Sequence, residues 1–252
     1  MAVIHRTTLV PTKLELLAGW LPGRPWFLGG AGGPELDRAG GYRLDDPEGE
    51  VGIEFMVVTD VSGPLPVAYQ VPFTYRATPL EGGEHALVGT MEHGVLGTRW
   101  VYDGAHDPVL LGQLYALLRG TAEAQAQRES DTPDPTVVAD RADGAVPAAA
   151  ALGRAPLTAV DGPLGAEVRV PAEDGTAATL RVHRVLRPHP AGTEPAGTDL
   201  PPADTESHDA PGTGTRTSTG TSTGTVLAQV TAGWSLPDGT AVRGAFATLL
   251  RP

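Results

Sequence analysis

The sequence predicts an α+β protein built mainly on antiparallel strands, with a β-rich C-terminal part. Three observations lead there. Val51, Ile53, Phe55 and Val57 fall at every second position, as do Tyr69, Val71, Phe73 and Tyr75, and Ser62-Gly63-Pro64 lies between them as a turn. Val226–Ser235 and Thr240–Leu250 flank Pro237-Asp238-Gly239, a second hairpin signal. Only two segments carry apolar residues at helical spacing, and the 33 Gly and 24 Pro among 252 residues favour turns over a long bundle.

Residues 2–10 are rich in Val, Ile and Thr and suit a strand. Thr12 and Glu15 have the spacing of a capping box, in which hydroxyl and carboxylate satisfy free N–H groups of a first helical turn. Leu14, Leu17 and Leu21 then form one stripe with Trp20 beside it, and Pro22-Gly23 stops the helix. A loop follows to Gly33 and a polar stretch to Asp46. In the first hairpin, Pro72 predicts an edge strand or a bulge, because proline cannot donate to a ladder. Ala86–Met91 and Arg99–Tyr102 read as two more strands. Asp107 suits an N-cap and Pro108 the first helical position. Leu110, Leu111, Leu114, Leu117 and Leu118 make the buried face, Glu123–Arg128 extends the helix, and Asp131–Pro135 ends it.

These signals divide the chain into a first domain over 1–135, a linker over 136–156 and a β-rich domain over 157–252. Glu167–Val170 and Ala178–Leu186 are the remaining strands. The Thr, Gly, Pro and Asp-rich tract at about 189–224 lacks apolar groups to offset the entropy of ordering, and reads as a disordered insert within the β domain.

The net charge of −12 disfavours nucleic acid, whose phosphates demand a basic face, and it disfavours anionic membranes, so neither is an expected partner. Without Cys there is no disulfide, thiolate nucleophile or Cys-ligated zinc. Neither a signal-peptide core nor a span of roughly 18 apolar residues occurs, so the expectation is a cytoplasmic protein. Lys13 is the sole lysine and Asn is absent, the imprint of GC-rich coding of the actinobacterial kind.

Chemistry has few footholds. The Gly29–Gly33 loop lacks the preceding strand, following helix and lysine of a phosphate cradle. His85, His93 and His106 lie near Glu92, Asp103 and Asp107 and could ligate a metal, but at no zinc spacing. An enzyme centred on His93, Asp103 and His106 is one reading; surface polar groups and a helix cap are the plainer one. No serine has a nucleophile-elbow context. Arg24, Trp26, Phe27, Tyr69 and Trp100 are the candidate interaction surface, since exposed aromatics mark interfaces; the plainer alternative is that the aromatics plug the core.

Leu21–Gly30, LPGRPWFLGG, resembles the LPxxRWFxGK signature of maltokinases. Tyr69-Gln70-Val71-Pro72-Phe73 is similar to that family's Tyr-x-x-Pro-Leu strand end, and Val101–Pro108, VYDGAHDP, to the motif opening its next helix. Two positions depart: Pro25 replaces an arginine and Gly30 a lysine. The resemblance is to the maltokinase N-terminal cap. It implies a cystatin-like topology, a curved antiparallel sheet with packed helices. Phosphoryl transfer needs a phosphate-binding cation, a catalytic Asp, and Asn with Asp on magnesium. No Asn, H-G-D or D-F-G-like segment occurs, so the expectation is a non-catalytic cap without cofactor. Its expected partner is maltokinase, trehalose synthase or another α-glucan enzyme. A carbohydrate-binding module, with Trp26 and Phe27 stacking on sugar, is the alternative.

Overall fold

The computed structural model describes residues 7–30, 32–142, 146–149, 152, 158–163, 165–173, 175–189 and 224–251. Strands β1 (Leu9–Val10), β2 (Leu36–Leu44), β3 (Gly52–Asp60), β4 (Val67–Arg76), β5 (Leu87–His93) and β6 (Gly97–Asp103) form the first half with helices α1 (Lys13–Trp20) and α2 (Pro108–Arg119). Short strands β7 (Gln125–Ala126) and β8 (Val138–Arg141) follow. The second half contains β9 (Ala159–Gly162), β10 (Gly165–Pro171), β11 (Ala177–His183), β12 (Val185–Leu186), β13 (Thr225–Ser235) and β14 (Ala241–Arg251).

The strands join in one antiparallel path, β1-β5-β6-β4-β3-β2-β13-β14-β11-β10-β9, with β12 on β4, β7 on β2 and β8 on β13. The path stays open. The expected antiparallel sheet is therefore present, but helix content is low: α1 has eight residues and α2 twelve. Among the described residues, no helix is long and apolar enough to cross a membrane.

β3 and β4 are the middle of the structure because both their faces are apolar and covered. Met56, Val58, Tyr69, Val71 and Phe73 point toward α1 and the Trp20–Phe27 turn, where Leu17, Trp20, Leu21 and Trp26 close the layer. Ile53, Phe55 and Val57 point the other way, onto α2 and the inward residues of β10, β11, β13 and β14. This second core draws on both halves of the chain. Alternation of period two makes the split possible, since successive strand residues face opposite sides.

Local signals set several boundaries. The Thr12–Glu15 capping box forms reciprocally and starts α1. Asp107 accepts from Val109 N at 2.9 Å and starts α2. α2 ends at Gly120, whose left-handed backbone (φ 74°) caps it. The extension over Glu123–Arg128 is thus corrected: Gln125–Ala126 pairs with Tyr42 and Arg43 of β2.

The polar stretch before Asp46 is also corrected, because it contains β2. Gly40 and Gly41 hide its strand character. At Gly41 (φ 129°) a Cβ would sit 2.1 Å from the Phe55 carbonyl oxygen, so the bulged crossing at Arg38/Gly40 requires glycine. Pro72 lies in a central strand, contrary to the edge or bulge expected. β4 changes partner there: Ala68 and Tyr69 pair with β12, and Phe73 to Arg76 with β6. Gln70 N donates to Arg184 O on that side. The missing N–H of Pro72, two residues on, faces the gap between the two partners, where it costs nothing.

The expected strand over residues 2–10 is seen as Leu9–Val10, with 1–6 outside the described residues. Ala139–Arg141 of the expected linker lies in β8, paired with β13. The expected disordered insert lies outside the described residues over 190–223.

Candidate functional site

The family-like segments converge at the end of β6. Asp103 precedes a single 3-10 turn, Gly104–His106, and its carboxylate accepts from Ala105 N at 3.2 Å. Facing it is Arg184, at the step where the chain leaves β11 and joins β4 as β12. Arg184 is fully buried, and its Nη2 donates to both Asp103 oxygens at 2.7 and 2.6 Å. Asp161 of β9 stands 3.9 Å from the same nitrogen. His106 Nε2 lies 3.6 Å from Asp161 and 4.0 Å from Asp103, and its Nδ1 is 3.2 Å from His85 Nε2.

Trp26 closes the other side, with Arg184 Cζ 5.1 Å from its ring centroid. Burial tends to raise the Asp161 carboxyl, but the His106 hydrogen bond and the charges of Arg184, His106 and Arg24 outweigh it and hold the group low. Arg184 Nε and Nη1, Trp26 Nε1 and Arg24 Nε are buried without a hydrogen-bond partner among the described residues.

Asp103, His106 and Asp161 bring one ligand atom each within 4.8 Å of one another, a set able to hold a metal ion. Its centre already carries a cation. Arg184 engages Asp103 through one nitrogen and neutralises the buried pair, so a divalent ion would have to displace a guanidinium that has no exposed place to go. The donor set is an internal charge network and does not fit a resident metal.

Asp107, four residues on, is equally committed. It is fully buried, accepts from Arg76 Nε and Nη2 at 2.7 Å each and from Thr74 Oγ1 at 2.7 Å, and caps α2. Neither carboxylate is free to act as acid or base. His93 lies elsewhere, in the β5–β6 hairpin, where Nδ1 accepts from Val95 N and Leu96 N at 3.3 and 3.1 Å. The enzyme reading based on His93, Asp103 and His106 lacks that convergence.

The structure gathers four of the five candidate surface residues. Trp26 lies between Trp20 and Tyr69, with centroids 5.8 and 5.9 Å away, Phe27 is 5.8 Å from Tyr69, and Arg24 covers Trp20 at 4.7 Å. Tyr69 Oη also accepts from Leu28 N at 2.9 Å. Trp26 and Tyr69 have no exposed area, which corrects their reading as surface groups: they are the plug of the α1 layer. Arg24, Phe27 and Trp100 remain part-exposed, Trp100 on β6 opposite Arg76 and Thr90.

A second concavity opens beyond the N-terminus of α1, over the end of the β3–β4 face. This groove has a volume of about 1050 Å³. Its floor carries Glu54, bonded by Lys13, by Tyr75 Oη at 2.5 Å, by Gln127 at 2.8 Å and by Arg38 at 3.3 Å. Burial would lift the Glu54 carboxyl, yet Lys13, Tyr75 and Arg38 hold it below the ordinary carboxylate range. Tyr75 is pushed well up by burial and by Glu54.

Sequence reasoning missed Arg184, Asp161 and this groove. One signal was legible: Ala178, Leu180, Val182, Arg184 and Leu186 occupy the inward positions of one alternating run, and a charged residue in such a series needs a buried partner.

Fold and site together define a sheet-based module whose aromatic turn and β6 end receive an arginine from the following β part. Residues 20–107, about a third of the chain, match the family model of the maltokinase N-terminal cap domain. No curated protein matches the chain.

Proposed function

We propose that the protein is a non-catalytic, cytoplasmic accessory module related to the maltokinase cap, docking on an enzyme of maltose, trehalose or α-glucan metabolism. The cap match carries this reading, and the use of Asp103 and Asp107 in internal ion pairs supports it. On this reading residues 1–135 are the cap, of cystatin-like arrangement with α1 laid on one sheet face, and residues 157–252 brace it through Arg184.

The test uses purified protein with purified maltokinase and trehalose synthase in analytical ultracentrifugation. A stable complex with one of them is expected. Sedimentation as separate species with both, together with sugar phosphate formed by the protein alone from ATP and maltose, would overturn the reading. The carbohydrate-binding alternative has less support, because Trp26 is sealed in the core.

A further inference from the structure

The charge network around Asp103 uses one edge of the His106 ring and leaves the other edge to a different partner. His106 closes the 3-10 turn after β6, and its side chain is only 10% exposed. Its Nε2 faces the carboxylates of Asp161 and Asp103, at 3.6 and 4.0 Å. Both anions stand on that side, so the neutral ring keeps its proton on Nε2 and presents Nδ1 as a bare lone pair. On the Nδ1 side stands His85, whose Nε2 is 3.2 Å away.

The β5–β6 ladder brings the two rings together. His85 lies in the 3-10 turn Glu84–Ala86, directly before β5, and is exposed. Leu87 of β5 pairs with Tyr102 of β6, so the residues just before one strand and just after the other share one end of the ladder. Two nitrogen ligands about 2.0–2.1 Å from a tetrahedral ion stand about 3.3 Å apart, close to the spacing of these two nitrogens. The ring orientation agrees. A linear N–H···N bond of this length would hold the ring centres about 5.5 Å apart, whereas rings converging on one ion would bring them to about 5 Å. The centroids are 5.0 Å apart and the planes cross at 84°.

We infer that His85 Nε2 and His106 Nδ1 chelate a divalent transition ion of the zinc class, with water completing its coordination. Imidazole nitrogen suits zinc, copper or nickel, whereas magnesium and calcium take oxygen ligands. Asp161 is a positioning residue: it fixes the His106 ring and its tautomer without touching the ion. This site is distinct from the Asp103, His106 and Asp161 set, because the ion meets the opposite edge of His106 and Arg184 keeps its place. A bound ion ties the turn before β5 to the turn that opens α2. The inference is independent of the docking reading.

The experiment is calorimetric titration of the full chain with zinc chloride, with magnesium chloride as the control for the acidic surface. Saturable binding of zinc and none of magnesium is expected. His85→Gln and His106→Ala should each weaken zinc binding by about tenfold or more, and Asp161→Asn, which leaves both imidazoles in place, by about tenfold. Zinc should also raise the thermal unfolding temperature of the wild-type protein and leave that of His85→Gln, a change at an exposed position, where it was. Absence of saturable heat with zinc, equal binding of magnesium, or full zinc affinity in the folded His85→Gln variant would overturn the proposal.

Discussion

The Arg184 socket and the α1 groove both gather opposite charges, and burial makes them different devices. In the socket, Arg184 is sealed against Asp103, Asp161 and Trp26, so its charge is used up in holding the β11–β12 step to the end of β6. In the groove, Glu54 is sealed but Arg99 and Arg128 are left over. A buried charge without its partner is costly, whereas a solvated one costs little to keep or remove. The same residue types therefore build a structural joint in one place and a solvated charged wall in the other.

The largest test of this contrast is Arg184→Ala. It strands Asp103 in a dry site and should lower unfolding free energy by about 3–5 kcal/mol in urea denaturation. Adding Asp103→Asn should recover part of the loss; a drop under about 1 kcal/mol would show the joint to be wet or loose.

Next to the socket, His183 is held down to about 4, first by burial and then by Arg181 and His189, while its Nε2 lies 2.8 Å from Thr248 Oγ1. Its folded value lies below its unfolded one, so the unfolded chain binds the extra proton. Stability is then full above about pH 6.5 and is lost as pH falls toward 4, by an amount on the order of 2 kcal/mol. Glutamine at His183 should flatten that part of the stability–pH curve.

Glu54→Gln comes third. It leaves Lys13 and Arg38 facing each other without their shared counter-ion, and part-exposure of both cations limits the loss to about 1–2 kcal/mol by thermal unfolding. In the wild-type protein the same contact should fail only as pH falls below the usual carboxylate range, because the Glu54 value is depressed. Arg128→Ala should be the smallest effect, within about 0.5 kcal/mol of wild type. A larger loss there would make Arg128 a structural residue and blur the distinction between the two sites.

What could be read locally was read from residues close together in the chain. The Thr12–Glu15 box, the Asp107–Pro108 start of α2, the Ser62-Gly63-Pro64 and Pro237-Asp238-Gly239 turns, and the alternation of β3 and β4 each need fewer than about ten residues of context. β2 escaped because Gly40 and Gly41 replace side chains with close backbone approach to β3. Pro72 misled because its tolerance depends on which strand stands beside it, and the two strands come from different halves of the chain.

The amino-acid order by itself determined the two helix starts, the longer strands other than β2, the net acidic charge and the family likeness within the first half. Only the tertiary structure decided that Trp26 and Tyr69 are core, that Asp103 answers Arg184 from 81 residues away, and that five cations meet in one groove. The physical reason is range: propensity and capping act along the chain, whereas the pairing and burial of charge are set by residues that become neighbours only when the sheet assembles.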